Sequence, residues 1–211
     1  MELWVFDNDG TLYDDFGTGE KFMKILFDYV SQLLGVSAEQ AKKEVTRLKE
    51  KWHTEFSILA LVKEYSVSFS EMVENTYLRI KLDECGIVAP DSLRLAVLNS
   101  IGARKVVFTN NPSAFARRVL SYVGIETCFI DFVGIEETGF CEKPNPQAYK
   151  AVENRHGGYN RIIFCDDSLK NLETARSLGW TTIWCKPQNA RPEAGTGHLV
   201  ISSFEELKRV L

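Results

Sequence analysis

The part of the chain after Pro90 alternates between short apolar runs and stretches of helical periodicity, and this pattern constrains the fold more than any other feature. Short apolar runs bounded by turn signals are typical of buried strands. The predicted strands cover residues 105–108, 129–133, 161–165, 181–185 and 198–201. The predicted helices cover residues 113–122, 146–155 and 169–178, with a last helix that begins at 204. Strands and helices that alternate in this way form a parallel sheet covered by helices on both faces.

The beginning of the chain contributes one more predicted strand, and the sequence pattern then becomes helical. An apolar run at residues 3–6 leads into an acidic segment at residues 7–10, as expected for a buried strand that enters a loop. Residues 17–81 show only helical periodicity, enough for about four helices. We therefore predict an α/β protein whose Rossmann-like parallel sheet is formed by residues 1–16 and 82–211. The helical stretch is predicted to be a bundle inserted into that domain as a cap.

Several boundaries can be predicted from single residues. Gly35 ends the first helix of the insertion, and capping boxes that begin at Ser37 and Ser68 start two later helices. Residues 187–197 are rich in proline, glycine and asparagine and are predicted to form a long loop.

Composition excludes several classes of function. The formal net charge is −4, with 25 basic and 29 acidic residues, which argues against a surface for nucleic acid polymers. The five cysteines include no C-x-x-C pair, and only three histidines accompany them, so we expect reduced thiols and neither a zinc site nor disulfides. No apolar run approaches the ~20 residues of a membrane span, and the chain begins without the pattern of a signal peptide. We expect a cytoplasmic protein without membrane partners.

Short polar segments follow the predicted strands, where an open α/β sheet binds its ligands. They are Asp7-x-Asp9-Gly10-Thr11, Thr109-Asn110, Lys143-Pro144, and Asp166-Asp167 with Asn171. Taken singly, each has a structural interpretation as a turn, a helix N-cap or a solvated lysine. Taken together, they bring carboxylates, a hydroxyl and a lysine to successive strand ends, where all of them can converge on one crevice.

Phosphoryl transfer is the chemistry that these residue types suit. Carboxylate and carbonyl oxygens at one edge of the sheet suit Mg²⁺, which retains several waters. A lysine, together with such a metal ion, neutralises phosphoryl oxygens, while a hydroxyl and backbone N–H groups orient them. A carboxylate can attack phosphorus and form an aspartyl phosphate.

The order of these motifs resembles that of the haloacid dehalogenase-like (HAD) superfamily of hydrolases, and the match covers essentially the whole chain. The helical insertion lies between the first and second motifs, which is similar to the subgroup with a helical C1 cap. The resemblance implies a Mg²⁺-dependent phosphatase whose partner is a small phosphorylated metabolite, acting as a monomer or a homodimer. Asp7 would be the nucleophile and Asp9 the general acid and base. Mg²⁺ would be held by the carboxylates of Asp7 and Asp167 and by the backbone carbonyl of Asp9.

The resemblance also implies roles for the remaining motif residues. Thr109 and Asn110 would bind phosphoryl oxygens through a hydroxyl and a backbone N–H. Lys143 would neutralise charge on the nucleophile and on the phosphoryl group. Asp166 and Asn171 would orient Lys143 and the waters of the metal ion.

Within the superfamily, the closest resemblance is to the pyrimidine 5′-nucleotidase-like branch. It rests on residues 10–13, 108–110 and 166–173 and on a looser match at 52–65. The implied substrates are nucleoside 5′-monophosphates. Trp52 and His53 would contact the base or sugar, although packing or a surface position is the more common reason for such residues on a cap helix.

Other functions stay open at this point. Phosphoglycolate or a sugar phosphate is the main alternative substrate, and a phosphomutase would use the same aspartyl phosphate. A haloacid dehalogenase protonates no ester oxygen and has no need of Asp9. A non-enzymatic binding module should have lost a catalytic carboxylate or the lysine, and none of these residues is missing.

Overall fold

The computed structural model describes residues 1–14, 17–186 and 197–210. The chain divides into two compact units. The first consists of Met1–Asp15 and Ile87–Leu211, and the second of Phe16–Gly86. The insertion predicted at 17–81 falls within the second unit. Most of the predicted loop at 187–197 lies outside the described residues.

The first unit contains a parallel sheet of six strands, which confirms the predicted fold class. The strands are β1 (Glu2–Phe6), β2 (Arg104–Phe108), β3 (Asp131–Val133), β4 (Arg161–Asp166), β5 (Thr181–Cys185) and β6 (Leu199–Ile201). Their order is β3-β2-β1-β4-β5-β6, so the chain builds outward from β1 on one side and then returns to its other side. A ligand crevice is expected where the strand order reverses in this way, at the carboxyl ends of the strands. In this sheet that point is the end of β1, between β2 and β4.

The second unit is helical. Its helices are α1 (Thr18–Leu34), α2 (Ala38–Trp52), α3 (Ser57–Glu64) and α4 (Phe69–Asn75), followed by two short 3₁₀ helices at Tyr77–Arg79 and Leu82–Glu84. Gly35 ends α1 in the left-handed conformation, at φ 66°, as predicted. Ser37 begins α2 with both hydrogen bonds of a capping box. The Ser68 hydroxyl accepts a hydrogen bond from the backbone of Glu71 at the start of α4.

In the described part of the first unit, four α-helices accompany the sheet. They are α5 (Ser92–Ser100), α6 (Ser113–Val123), α7 (Pro146–Arg155) and α8 (Leu169–Ser177). The sequence pattern did not predict α5. Its N-cap is Asp91, whose carboxylate accepts a hydrogen bond from the backbone N–H of Arg94. The predicted strand at 129–133 is wrong in its first residues, because a 3₁₀ turn at Glu126–Cys128 precedes it. The last predicted helix is a 3₁₀ helix at Phe204–Arg209.

The core of the first unit fixes the strands that reach the crevice. Aromatic side chains from the sheet and its helices pack edge to face, with Tyr149 of α7 between Phe108 of β2 and Phe164 of β4. These rings are fully buried, and Leu3 and Val5 of β1 lie in the same cluster. Aromatic pairs in this arrangement add about 0.5–1.5 kcal/mol each beyond the burial of their area. The ends of the central strands are therefore held rigidly.

Among the described residues, no helix combines the length and hydropathy that a bilayer span requires.

Candidate active site

The carboxyl ends of β1, β2 and β4 present the predicted site residues. Asp7 follows β1, and its backbone N–H donates to Cys165 of β4 over 2.8 Å. Thr109 follows β2, and its backbone N–H donates to Val133 of β3 over 3.0 Å. The hydrogen bonding of the sheet thus continues through the first residue of each loop, so these residues are placed by the sheet itself.

Lys143 lies at the centre of the cluster, although it comes from the loop before α7. Its ammonium group donates to Asp7 Oδ1 at 2.5 Å, to the Phe108 carbonyl at 2.9 Å and to Asp166 Oδ2 at 3.0 Å. The lysine side chain is only 1% exposed. Burial opposes its charge, but the carboxylates of Asp166 and Asp7 outweigh that effect and raise the pKa of Lys143. This lysine is therefore a permanent positive charge.

Three carboxylates share this single positive charge. Asp7, Asp166 and Asp167 each bring an oxygen to one place, with these atoms within 4.8 Å of one another. When all are ionised, three carboxylates and one ammonium leave a net charge of −2. Burial raises the pKa of Asp7 well above its usual value, helped by Asp166, while Lys143 opposes the shift. Burial, and then the charge of Asp166, raises the pKa of Asp167 to about 6.

The donor set of this cluster fits a hard divalent cation such as Mg²⁺. The two oxygens of Asp166 already accept hydrogen bonds from Lys143, from the Ser168 backbone and from the Asn171 side chain. By contrast, no side chain of the described residues donates a hydrogen bond to the Asp167 carboxylate. An excess of negative charge, hard oxygen donors and a carboxylate that accepts no side-chain hydrogen bond within the described residues suit a magnesium ligand set.

Gly10 lets the first loop approach this cluster. It adopts φ +77°, and a Cβ at this position would lie 2.7 Å from Asp167 Oδ2. The backbone conformation strains any larger residue, and a Cβ here would also force the Asp167 side chain to shift. Steric fit therefore explains the glycine of the Asp-x-Asp-Gly-Thr motif, because a residue without a side chain leaves room for the Asp167 carboxylate that follows β4.

Asp9 stands apart from the three clustered carboxylates and has its own partners. The Tyr13 hydroxyl donates to Asp9 Oδ1, and the Asn111 amide donates to Oδ2 over 2.8 Å. The Thr109 hydroxyl lies 3.4 Å from Oδ2. The structure thus brings Thr109, predicted to contact phosphate, beside the predicted general acid.

The Asn110 side chain makes contacts that the sequence did not reveal. Its side-chain amide donates to the Lys143 carbonyl over 3.0 Å, and its side-chain oxygen accepts from the Lys143 backbone N–H over 2.7 Å. This pair of hydrogen bonds ties the loop after β2 to the loop that carries the lysine. Asn171 supports Asp166 in a comparable way, donating to both of its oxygens over 3.1 and 3.0 Å.

Trp52 and His53 lie in the helical unit, at the end of α2. The Trp52 indole N–H donates to Glu64 Oε2 over 3.1 Å, and the ammonium groups of Lys51 and Lys63 lie 5.2 and 5.6 Å from the centre of its ring. His53 is exposed and adopts φ 47° after the helix. The contacts of Trp52 are thus those of a surface ion cluster within the helical unit.

Two residues that contact Asp9 were not among the predicted site residues. Tyr13 and Asn111 are each adjacent to a predicted motif, but nothing in their spacing distinguishes them from loop residues that point elsewhere. The signals were the place of Tyr13 within residues 10–13, which carry part of the family resemblance, and the nearness of Asn111 to the Thr109-Asn110 pair.

Comparisons with known proteins agree with this geometry. The family model for haloacid dehalogenase-like hydrolases matches residues 1–179. A HAD phosphatase of Thermococcus onnurineus is 20% identical, with a TM-score of 0.67 over 100% of this chain and 97% of that one. YfnB of Bacillus subtilis, a HAD-type protein crystallised with magnesium, is 18% identical, with a TM-score of 0.62 over 99% and 97% of the two chains.

A dehalogenase has the same fold. The L-2-haloacid dehalogenase of Xanthobacter autotrophicus, with chloropropionic acid covalently bound, is 15% identical, with a TM-score of 0.54 over 99% of this chain and 97% of that one. At such identities the likeness describes the fold alone. The family match covers most of the chain and includes every motif described above. The chain therefore belongs to the haloacid dehalogenase-like hydrolases.

Proposed function

We propose that the protein is a Mg²⁺-dependent phosphomonoester hydrolase that forms an aspartyl phosphate on Asp7. The observation that carries this proposal is the single buried ammonium of Lys143 among three carboxylates, because that arrangement suits a divalent cation and an anionic substrate together. Asp7, Asp167 and the Asp9 carbonyl would hold Mg²⁺. When bound, the ion would neutralise charge on the phosphoryl oxygens and align them with Asp7.

The reaction then follows from the residues of the chain. The Asp7 carboxylate attacks phosphorus while the bond from phosphorus to the leaving oxygen breaks, and Asp9 gives a proton to that oxygen. Asp9 next removes a proton from water, which attacks the same phosphorus, so that inorganic phosphate leaves and the Asp7 carboxylate is restored. Thr109 and the backbone N–H of Asn110 orient the phosphoryl oxygens, and Lys143 offsets their charge throughout.

Activity against a panel of substrates tests the proposed class. The panel contains p-nitrophenyl phosphate, UMP, CMP, phosphoglycolate, a hexose phosphate and 2-chloropropionate, each assayed with Mg²⁺ and with EDTA. We expect hydrolysis of phosphate esters that disappears with EDTA and returns when Mg²⁺ is restored. Release of chloride without phosphatase activity would favour a dehalogenase. Phosphatase activity that survives chelation would contradict the metal site.

The effect of Mg²⁺ on stability is expected to depend on pH. Because folding raises the pKa of Asp167 to about 6, the metal-free protein should lose stability as pH rises from about 4 towards about 6. A cation in the cluster displaces that proton, so stabilisation by Mg²⁺ should be small at about pH 5 and large at about pH 7.5. The measurement is the midpoint of thermal unfolding with and without MgCl₂ at each pH.

An Asp167→Asn variant provides the control for this titration. It should be stabilised weakly by Mg²⁺ at both values of pH, because it lacks the titrating ligand. An equal response of the wild-type protein at both values would show that the cation binds elsewhere.

For the substrate, we propose nucleoside 5′-monophosphates, with pyrimidine preferred over purine. In the proposed reaction, the residues that surround Asp7 would contact only the phosphoryl group, which all phosphomonoesters share, so selection between substrates must come from elsewhere. We assign it to the helical insertion, and the resemblance to the pyrimidine 5′-nucleotidase-like branch supports this choice. If phosphoglycolate or a hexose phosphate exceeds UMP and CMP by about tenfold in kcat/KM, beyond what one pocket contact explains, the nucleotidase assignment is wrong and the phosphatase assignment stands.

Variants at the end of α2 test the source of the selectivity. Trp52→Ala and His53→Asn should each change the ratio of kcat/KM between UMP and phosphoglycolate by about 1–3 kcal/mol, the range for one pocket contact. Asparagine is chosen at position 53 because φ 47° disfavours alanine. Turnover of p-nitrophenyl phosphate should change little. Lys24→Ala, on the exposed face of α1, is the control, and an unchanged ratio in both test variants would exclude the end of α2 from substrate selection.

A further inference from the structure

Asp9 is held from two sides by groups that belong to two different loops. The Asn111 amide, in the loop after β2, donates to Oδ2 over 2.8 Å. The Tyr13 hydroxyl, in the loop after β1, donates to Oδ1. Both carboxylate oxygens of the proposed general acid therefore accept a hydrogen bond from a residue to which the predicted motifs gave no role.

Each of these donors is itself anchored by the backbone. Tyr13 is 1% exposed, and its carbonyl accepts from the Gly10 N–H over 3.1 Å, in the turn that directly follows Asp9. The Asn111 N–H donates to the Thr109 hydroxyl over 3.0 Å, and its carbonyl accepts from Ile135 over 3.1 Å. These hydrogen bonds fix the backbone from which each side chain reaches Asp9, and the burial of the Tyr13 ring restricts its rotation further.

We propose that Tyr13 and Asn111 are positioning residues for Asp9, and this inference rests on the proposed phosphatase function. An aspartate side chain has two rotatable bonds, and proton exchange with a leaving oxygen requires one orientation within hydrogen-bond reach. Two donors, one on each oxygen, select that orientation before substrate arrives. Neither residue has to touch the substrate to have this effect.

The proposal predicts a selective loss of rate. A poor leaving group, such as an alkyl oxygen, depends on proton donation, whereas p-nitrophenolate leaves with little help. Tyr13→Phe and Asn111→Ala should each lower kcat for an alkyl phosphate by about tenfold more than for p-nitrophenyl phosphate, a part of the about 10²–10⁴-fold that general acid catalysis supplies. KM should change little, because the phosphoryl contacts remain.

The test measures Tyr13→Phe, Asn111→Ala and Asp9→Asn as single variants. It then measures Tyr13→Phe and Asn111→Ala each combined with Asp9→Asn. If the two residues act through Asp9, adding Tyr13→Phe or Asn111→Ala to Asp9→Asn should produce no further selective loss. Tyr65→Phe is the matched control, because it removes a tyrosine hydroxyl that donates to the Glu44 carboxylate over 2.6 Å in the helical unit. It should leave the ratio between the two substrates unchanged. Thermal unfolding of every variant shows whether it is folded. If one test variant does not fold, the other still tests the proposal.

The possible results test the positioning role and the proposed function separately. Equal losses for both substrates in Tyr13→Phe and Asn111→Ala, or selective losses that add to that of Asp9→Asn, would overturn the positioning role. In that case a selective loss in Asp9→Asn would leave the proposed function intact. If Asp9→Asn itself shows no dependence on the leaving group, the general acid is wrongly assigned, and the positioning role is overturned with it.

Discussion

Replacement of Asp7 by asparagine is expected to abolish turnover and to leave the protein folded. The amide has the shape of the carboxylate but cannot attack phosphorus, and loss of a nucleophile reduces kcat by at least about a thousandfold. The fold should tolerate the change, because burial already disfavours the charged form of Asp7 and Lys143 keeps its bonds to Phe108 and Asp166. Turnover of p-nitrophenyl phosphate and thermal unfolding are the measurements.

A neighbouring aspartate provides a matched control. Asp14 lies in the same loop, and its half-exposed carboxylate contacts Arg94 over 3.3 Å. Asp14→Asn should retain activity. Beryllofluoride, a mimic of the phosphoryl group on aspartate, should raise the midpoint of thermal unfolding of the wild-type protein and of Asp14→Asn, but not of Asp7→Asn. An Asp7→Asn protein with a tenth of wild-type activity would refute the assignment of the nucleophile.

Replacement of Lys143 by methionine should remove both activity and much of the stability. Among the described residues, the ammonium of Lys143 is the only positive charge in contact with the buried carboxylates of Asp7 and Asp166. Breaking a buried ion pair by removing one partner costs about 3–5 kcal/mol, because the remaining charge is left uncompensated. We expect a decrease of this size in the free energy of unfolding, measured with urea and without metal.

Two further variants identify the origin of the loss of stability in Lys143→Met. Adding Asp166→Asn to Lys143→Met removes one of the uncompensated carboxylates and should restore part of the free energy of unfolding. Lys81→Met, which breaks an exposed contact with Glu84, should leave stability nearly unchanged. If Lys143→Met were as stable as Lys81→Met, the ion cluster would contribute nothing to the fold.

The strands of the sheet were predictable because buried parallel strands appear in a sequence as apolar runs. The bounds of β5 and α7 were predicted to the residue. Helix α5 was not, because its apolar residues do not mark one face: Leu93 is 64% exposed while Val97 and Leu98 are buried. The last helix was predicted from periodicity, which does not distinguish an α-helix from the 3₁₀ helix at Phe204–Arg209.

In the site, the order of the motifs along the chain indicated which residues meet, because parallel strands end at one edge. The sequence could not show how they are held. The two hydrogen bonds between the Asn110 side chain and the Lys143 backbone depend on the path of a loop, and so does the contact of Asn111 with Asp9. Side-chain direction within a turn is a property of tertiary structure that spacing does not encode.

The strand order has a consequence for how the protein folds. The ion pair between Lys143 and Asp7 joins residues 136 positions apart, and Asp166 lies 23 positions beyond the lysine. Contacts this distant in sequence form late, since the entropy of closing long loops must be overcome first. A nascent chain that has not yet added β4 therefore carries Asp7 and Lys143 without the residues that complete the cluster. The cluster can therefore form only after β4 has been added, because a fragment that ends before β4 lacks Asp166 and Asp167.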